Sequence, residues 1–594
     1  MRFYHNSRDL NCRQPFGAVP CNTPITLCFY SSQALKKVQL RLWQGVSTYI
    51  SMEYMGFGKY EAKVSAPERP LVWWYDFLIT TQDDRKLYYG NAMDELGGEG
   101  SVSENRPPSF QITVYDPAFK TPKWLREGVM YQIFPDRFHR EKLPTSNRTD
   151  IYLHENWSDI PSVTPDPRSG DNQAFDFFGG TLEGIRQKLD YLEDLGITVL
   201  YLNPIFKARS NHRYDTGDYM RVDPLLGTND DLKRLCKDAK ARGIRVILDG
   251  VFSHTGEDSL YFDRYGNYGG NGAYQGKSSP YYAWYQFRRF PDDYACWWNI
   301  PTLPEVNKNN PHYNQFINGE KGVVRTWLHR GISGWRLDVA DELPMHFLEN
   351  IRTASKTEKS DAAIIGEVWE DASRKIAYGH LRSYCLGTTV DSVMNYPLRD
   401  ALINFFVGRI NAAKLVRIIN SLQENYPTTF FYSLMNLPGS HDRARILNVL
   451  SDYEYTSIPW KERGKMKLSA KAKALGKSRL KKMLQIIFSL PGLPAIYYGD
   501  EAGMEGAADP FNRATFPWDN IDKELHEFTR DLVQKRHENP VLKTGFLSLS
   551  AQGEDSICLV RHLKNGKDAF GQKLEGDTFF LRITRDYMNR RADD

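Results

Sequence analysis

Short apolar runs alternate with amphipathic stretches along most of the chain. From about Trp124 the runs are Val129–Phe134, Val199–Leu202, Val246–Leu248, Gly334–Leu337, Ile364–Gly366, Ser392–Met394, Ser433–Met435 and Ala495–Tyr498. Each has the length of a buried strand, and helix-like segments such as Asp230–Arg242 and Leu480–Leu490 lie between them. Eight strands alternating with helices predict an α/β fold, a parallel (β/α)8 TIM barrel over residues 119–541. Residues 1–118 read differently. Val38, Leu40 and Leu42 alternate with Lys37, Gln39 and Arg41, and Leu71–Thr80 is a second strand, which predicts an N-terminal β-sandwich. Asn105–Pro108 and Asp116-Pro117 mark its boundary. After about Leu542, the runs Phe546–Ser550, Ile557–Arg561 and Thr578–Thr584 predict a short C-terminal β domain, residues 542–594. Spacing adds one more feature. Asp338 and Glu367 are about one βα unit apart, whereas Asp249 and Asp338 leave roughly 50 residues to spare. That surplus, Thr255–Asn307, is rich in Tyr, Gly and Trp and predicts an inserted loop subdomain over the barrel mouth.

Composition narrows the classes. Of 594 residues, 41% are hydrophobic and 25% charged, an ordinary globular balance. The net charge of +4 is small for this length, so neither a nucleic-acid partner nor a polybasic membrane contact is expected. The basic run Lys461–Lys482 reads as a solvated helix face. Seven scattered cysteines without a CxxC pair argue against a disulfide framework or a zinc site. The first residues lack an apolar signal core, and the longest apolar stretch, around Met483–Tyr498, is broken by Ser489, Pro491, Gly492 and Pro494. A soluble, cytoplasmic protein is the expectation. The 13% aromatic content suits stacking on sugar rings as well as core packing.

The chemistry concentrates at the ends of the predicted strands. The third ends at Asp249 and runs into His254; the fourth reads Gly334-Trp-Arg336-Leu-Asp338. The fifth reads Ile365-Gly-Glu367-Val-Trp369, and the seventh runs into His441-Asp442. In a barrel of this kind these positions face one mouth. Carboxylates with His donors and no Cys suit glycoside hydrolysis or a hard-metal site. Arg336 among them is expected to keep neighbouring carboxylates ionised. A lone Asp after a strand is more often a helix cap or turn former, and Asp249 taken alone is given that reading, while Asp218 and Asp223 are left as structural.

These strings resemble the α-amylase family of retaining glycosidases, glycoside hydrolase family 13. Asp249–His254, Gly334–Glu342, Ile364–Trp369 and Asn436–Asp442 resemble its four signature regions in order. Leu303–Asn307 and Val339–Glu342 resemble motifs of neopullulanase, cyclomaltodextrinase and amylopullulanase members, with Asp341 where those usually carry Asn. The resemblance implies Asp338 as nucleophile, Glu367 as acid and base, and Asp442 as the third carboxylate. It implies that His254, His441 and Arg336 serve the same sugar, that Tyr214 is a stacking platform, and that Asp509 and Arg513 grip the next sugars. Trp369, directly after the acid, is expected on the leaving-group side. Trp297 and Trp298 are left open between subdomain core and sugar stacking, and Trp73, Trp74 and Tyr75 are expected in the sandwich core.

Departures from the family pattern count as well. Ser253 stands where a calcium-binding Asn is common, and His139–Thr145 replaces an Asp/Asn-rich calcium loop, so no cofactor or metal is expected, with Ca2+ left open but not favoured. The expected activity is retaining hydrolysis of α-1,4 bonds, with α-1,6 bonds open, in maltooligosaccharides, cyclodextrins, pullulan or starch. A glucanotransferase is the alternative, and a non-catalytic carbohydrate-binding relative a more distant one. In relatives of this type an N-terminal β domain helps form a dimer, which makes a homodimer an expectation here.

Overall fold

In a computed structural model, which describes residues 2–168, 170, 172–452 and 457–586, eight parallel strands form the central sheet. They are β1 (Met130–Ile133), β2 (Val199–Leu202), β3 (Arg245–Gly250), β4 (Gly334–Leu337), β5 (Ala363–Gly366), β6 (Ser392–Val393), β7 (Met435–Asn436) and β8 (Leu493–Tyr497). Each pairs with its sequence neighbour, β1 pairs with β8, and a parallel bridge between Met394 and Met435 joins β6 to β7. The sheet is thereby closed into a barrel, with the strands at the places the apolar runs predicted.

The pleat sorts the residues of each strand into two cores. Met130, Val199, Tyr201, Ile247, Ala363, Ile365, Met435, Leu493 and Ala495 pack together inside the barrel. Their neighbours Tyr131, Leu200, Leu202, Val246, Leu248, Trp335 and Ile364 pack outward against the helices. Because side chains alternate with period two, Asp249, Arg336, Asp338 and Glu367 share the inward parity of Ile247, Gly334 and Ile365. Sequence parity therefore already places them at the interior end of the strands. Of the predicted helices, the first runs over Asn229–Ala241 behind a Thr228/Asp231 capping box. The second is longer than expected, Ala470–Ser489, and takes in half of the basic run. Its Lys473, Lys477, Lys481 and Lys482 pair with Glu505, Asp522, Glu524 and Asp586, so this is a salt-bridged face of a barrel helix.

Before the barrel, a five-stranded and a seven-stranded sheet enclose a core that includes Leu27, Phe29, Leu40, Tyr75 and Phe77. Tyr75 is buried as expected, while Trp73 and Trp74 are half-buried, Trp74 stacking on Trp43. After the barrel, Phe546–Gln552, Ser556–His562 and Phe579–Thr584 form an antiparallel three-stranded sheet. The last residues of the predicted C-terminal domain, 587–594, lie outside the described residues. No helix among the described residues is long and apolar enough to cross a membrane.

One buried carboxyl behind the barrel yields a pH prediction. Glu501 accepts hydrogen bonds from the Tyr131 and Tyr191 hydroxyls, each at 2.7 Å, and burial pushes its pKa from 4.5 up to about 7. The folded chain thus holds a proton that the unfolded chain releases between those values. This contribution to stability is complete below pH 4.5 and is lost as the pH rises through 7. Glu501→Gln has no such proton to lose. Denaturation curves should shift in the variant's favour, relative to the parent, by up to about 3 kcal/mol between acid and neutral pH; a difference independent of pH would exclude the shift.

Candidate active site

The C-terminal ends of the barrel strands open into a cleft of about 980 Å3 lined by Tyr214, His254, Asp338, Glu367, Trp369, Asp442, Asp509 and Arg513 among others. At its floor, Arg336 donates to both oxygens of Asp249 at 2.9 and 3.1 Å and to Asp338 at 2.9 Å. Its other terminal nitrogen lies 2.8 Å from Glu367 Oε2. β4 and β5 run in register, Leu337 beside Gly366, so the residues that follow, Asp338 and Glu367, emerge side by side.

Between them the backbone turns sharply. Val339 has φ +36° and ψ 62°, a left-handed conformation that a β-branched residue rarely adopts. The turn aims the Val339 N–H at Glu367 Oε2, 2.7 Å away, while the Trp369 indole N–H donates to Oε1 at 3.1 Å. Strain of this kind, about 1–3 kcal/mol, persists where surrounding contacts over-determine the geometry. Here it ties the position of one carboxyl to that of the other.

Asp442 joins from the loop after β7. Its Oδ1 lies 3.2 Å from His441 Nε2, and its Oδ2 has no hydrogen-bond partner. Gln132, from β1, donates to His441 Nδ1 at 2.8 Å, which leaves the proton on Nε2 facing Asp442 and the Tyr214 hydroxyl. Tyr214 donates to Asp249 at 2.9 Å, and its ring lies nearly parallel to that of His441. Arg513 pairs with Asp509 at 2.9 Å and donates to the His441 carbonyl at 3.0 Å.

Burial dominates the electrostatics. It pushes the Asp338 carboxyl well up, against the opposing charge of Arg336 and with Glu367 and Asp249 adding to the rise. Asp249 is also raised by burial. Burial, with repulsion from Glu367, pushes Asp442 up to about 7. The expectation that Arg336 keeps its neighbours ionised is therefore only one side of the balance. One guanidinium shared by several buried carboxyls favours retention of a proton within the cluster. Burial lowers His254 to about 3 and His441 well below its ordinary value, so both are neutral rings at pH 7. His254 Nε2 donates to the Tyr214 carbonyl at 3.1 Å and Nδ1 accepts from Ser253 Oγ at 2.8 Å.

Asp249 corrects the cap-or-turn reading given to it alone: it is a buried partner of Arg336, Tyr201 and Tyr214 inside the barrel. Asp223 keeps the structural role expected, with Arg213 and two backbone N–H groups. Trp298 is 75% exposed and lines the cleft, which excludes subdomain core for it; Trp297 packs on His254. The sequence reading missed Tyr201, Gln132 and the segment between β1 and β2, whose Asp166, Arg168 and Phe175 line the cleft. Parity pointed to the first two. Spacing pointed to the third, because Met130 and Val199 leave about 40 residues beyond one βα unit.

Residues 132–546 match the family described as alpha amylase, catalytic domain. The chain belongs to the α-amylase family. It is 38% identical to the amylopullulanase of Thermoanaerobacterium thermosulfurigenes over 98% of its own length and 33% of that protein's. It spans about a third to a half of the length of the amylopullulanases it matches. Among solved structures, a cyclomaltodextrinase superposes with TM-score 0.65 at 27% identity, covering 98% of this chain and 91% of the other. The cyclic α-maltosyl-(1→6)-maltose hydrolase of Arthrobacter globiformis, solved with that cyclic sugar, gives TM-score 0.63 at 31% identity, covering 74% and 89%.

Proposed function

We propose that this α-amylase family member is a retaining α-glucan hydrolase cleaving α-1,4 and α-1,6 glucosidic bonds. The observation that carries the reading is the pair Asp338 and Glu367, bridged by one guanidinium at 2.9 and 2.8 Å at the floor of the cleft. Retaining enzymes hold their two carboxyls about 5–5.5 Å apart, and a single guanidinium spans a gap of that order. Asp338 attacks the anomeric carbon as Glu367 passes its proton to the departing oxygen, giving a glycosyl ester and a free sugar hydroxyl. Glu367, now a carboxylate, takes a proton from water, whose oxygen displaces Asp338 and returns it as a carboxylate. The unpartnered Asp442 Oδ2 is an acceptor for sugar hydroxyls, and Arg336 offsets charge that shifts between the two carboxyls. A sugar hydroxyl in place of water would make the same site a glucanotransferase.

The α-1,6 part of the reading draws on the Arthrobacter enzyme, whose substrate holds such a bond. Product analysis on pullulan, β-cyclodextrin and starch tests it: maltotriose from pullulan would report cleavage of its α-1,6 bonds and panose cleavage of its α-1,4 bonds, so panose with no α-1,6 cleavage would remove the α-1,6 part, and inert pullulan the neopullulanase-type reading as well. A homodimer fits the N-terminal segment Val46–Phe57, which exposes Val46, Tyr54, Met55 and Phe57. Light scattering should then give twice the chain mass, with higher kcat/KM on β-cyclodextrin or maltotriose than on starch. A monomer that prefers starch would point instead to an open-cleft α-amylase.

We further infer that turnover needs no calcium. Ser253 Oγ is engaged by His254, and Asp136, just before the loop 139–145, is saturated by Arg137 and the N–H groups of Phe178 and Gly179. EDTA should leave activity and melting temperature nearly unchanged. A fall of many degrees, reversed by Ca2+, would overturn this.

A further inference from the structure

The Glu367 oxygen free of backbone contact is Oε1, and its recorded hydrogen bond comes from the Trp369 indole N–H at 3.1 Å. The indole itself is held on both faces. Tyr396 stacks on it with centroids 4.1 Å apart and planes 6° from parallel, and the Arg443 guanidinium carbon sits 4.2 Å from the ring centroid. Two groups at such separations cannot share one face, so Trp369 is sandwiched between them. Both outer layers are anchored. Tyr396 is buried, with its hydroxyl 3.2 Å from Ser440 Oγ, and the Arg443 carbonyl accepts from Asn512 Nδ2 at 2.8 Å.

Arg443 is an unusual outer layer. Its Nε is buried without a hydrogen-bond partner, and none of the ion pairs among the described residues includes it. A partly desolvated guanidinium with no carboxylate partner is costly unless something else repays it, and the aromatic face beneath is the contact that does so. The sandwich also leaves Trp369 no open face for a sugar. What it presents to the cleft is an edge, and that edge carries the N–H bonded to Glu367.

We propose that Arg443 is a positioning residue for the proton donor: it clamps the Trp369 indole against Tyr396 and thereby fixes Oε1 of Glu367 toward the leaving oxygen. This rests on the reading of Glu367 as the acid. Misplacing a catalytic group by a fraction of an ångström costs rate without costing substrate affinity. A loosened donor matters most where the leaving group needs the proton.

The test compares kcat/KM on maltotriose, whose sugar alkoxide cannot leave unprotonated, with 4-nitrophenyl α-maltoside, whose nitrophenolate can. Arg443→Met keeps the length and apolar contact of the side chain and removes the planar cation. It should lose about tenfold on maltotriose and less than about twofold on the nitrophenyl substrate, with Arg443→Lys recovering part of the loss. Equal loss on both substrates, or no loss on either, would overturn the proposal. Glu367→Gln is run alongside. If it shows the leaving-group split and Arg443→Met does not, the clamp fails and the acid assignment stands; if it shows no split, the acid assignment fails first.

Discussion

Replacing Asp338 by Asn, or Glu367 by Gln, should lower kcat on maltotriose by three decades or more, about 4 kcal/mol of barrier, in a protein that still folds. The two losses differ in origin. The Asp338→Asn variant has no carboxylate to form the ester, so the first step loses its nucleophile. The Glu367→Gln variant has no proton to give, so a sugar must depart as an alkoxide. Folding should survive in both, for reasons visible in the contacts. Without Asp338, Arg336 keeps Asp249, which it holds through two bonds, and Glu367. Without the Glu367 carboxylate, the amide oxygen accepts one of the N–H groups from Val339 and Trp369, and the other loses its partner at a cost of about 1–3 kcal/mol. Steady-state kinetics and thermal melts on the same preparations separate chemistry from folding. Turnover within tenfold of the parent in either folded variant would refute the assignment of these two residues.

How far the sequence revealed this site follows from which signals are local. A strand of four residues carries its own parity, so the inward line from Gly334 through Arg336 to Asp338 is legible once β4 is recognised, and β5 repeats it through Ile365 to Glu367. Asp249 lies on the same line in β3. Weighing it alone as a cap discarded that parity, and the structure puts it under Arg336. The barrel was legible for a similar reason: each parallel strand is buried on both faces and reads as a short apolar run. Contacts that depend on closure were not legible. Trp369 follows β5, Tyr396 follows β6 and Arg443 follows β7, and no local pattern says that three successive loops stack a ring, an indole and a guanidinium. The balance at Asp338 was only half legible: Arg336, which favours its ionised form, is visible in sequence, whereas the burial that opposes it is a property of the assembled mouth.

Removing residues 1–118 should prevent the barrel from folding stably, because the N-terminal domain covers a barrel face and neutralises a carboxylate buried there. Glu424, on the barrel helix Ala412–Asn425, is 3% exposed and takes Arg8 at 2.9 Å and Arg13 at 3.4 Å from the N-terminal domain. Arg13 is itself buried and also donates to the carbonyls of Gln111 and Gly17. Deletion leaves a carboxylate on an apolar surface that water has not previously reached, along with the faces of Phe119 and the loop after β5, where Gln111 holds Ser373 at 3.0 Å. Breaking a buried ion pair from one side, with the remaining charge still covered, costs about 3–5 kcal/mol, and most domains have only about 5–15 kcal/mol in hand. A point-substitution version isolates the charge from the rest of the interface. Arg13→Met alone should destabilise by several kcal/mol, whereas Arg13→Met with Glu424→Leu should recover much of that loss, because the buried carboxylate is then gone and Arg8, 18% exposed, can turn its charge to water. Denaturant titrations of the two variants against the parent decide the matter. Equal losses in the single and double variants would show that packing rather than charge joins the domains. A truncated chain that melts like the intact one would show that the N-terminal domain contributes nothing to the barrel in its own chain and leave its role to contacts between chains.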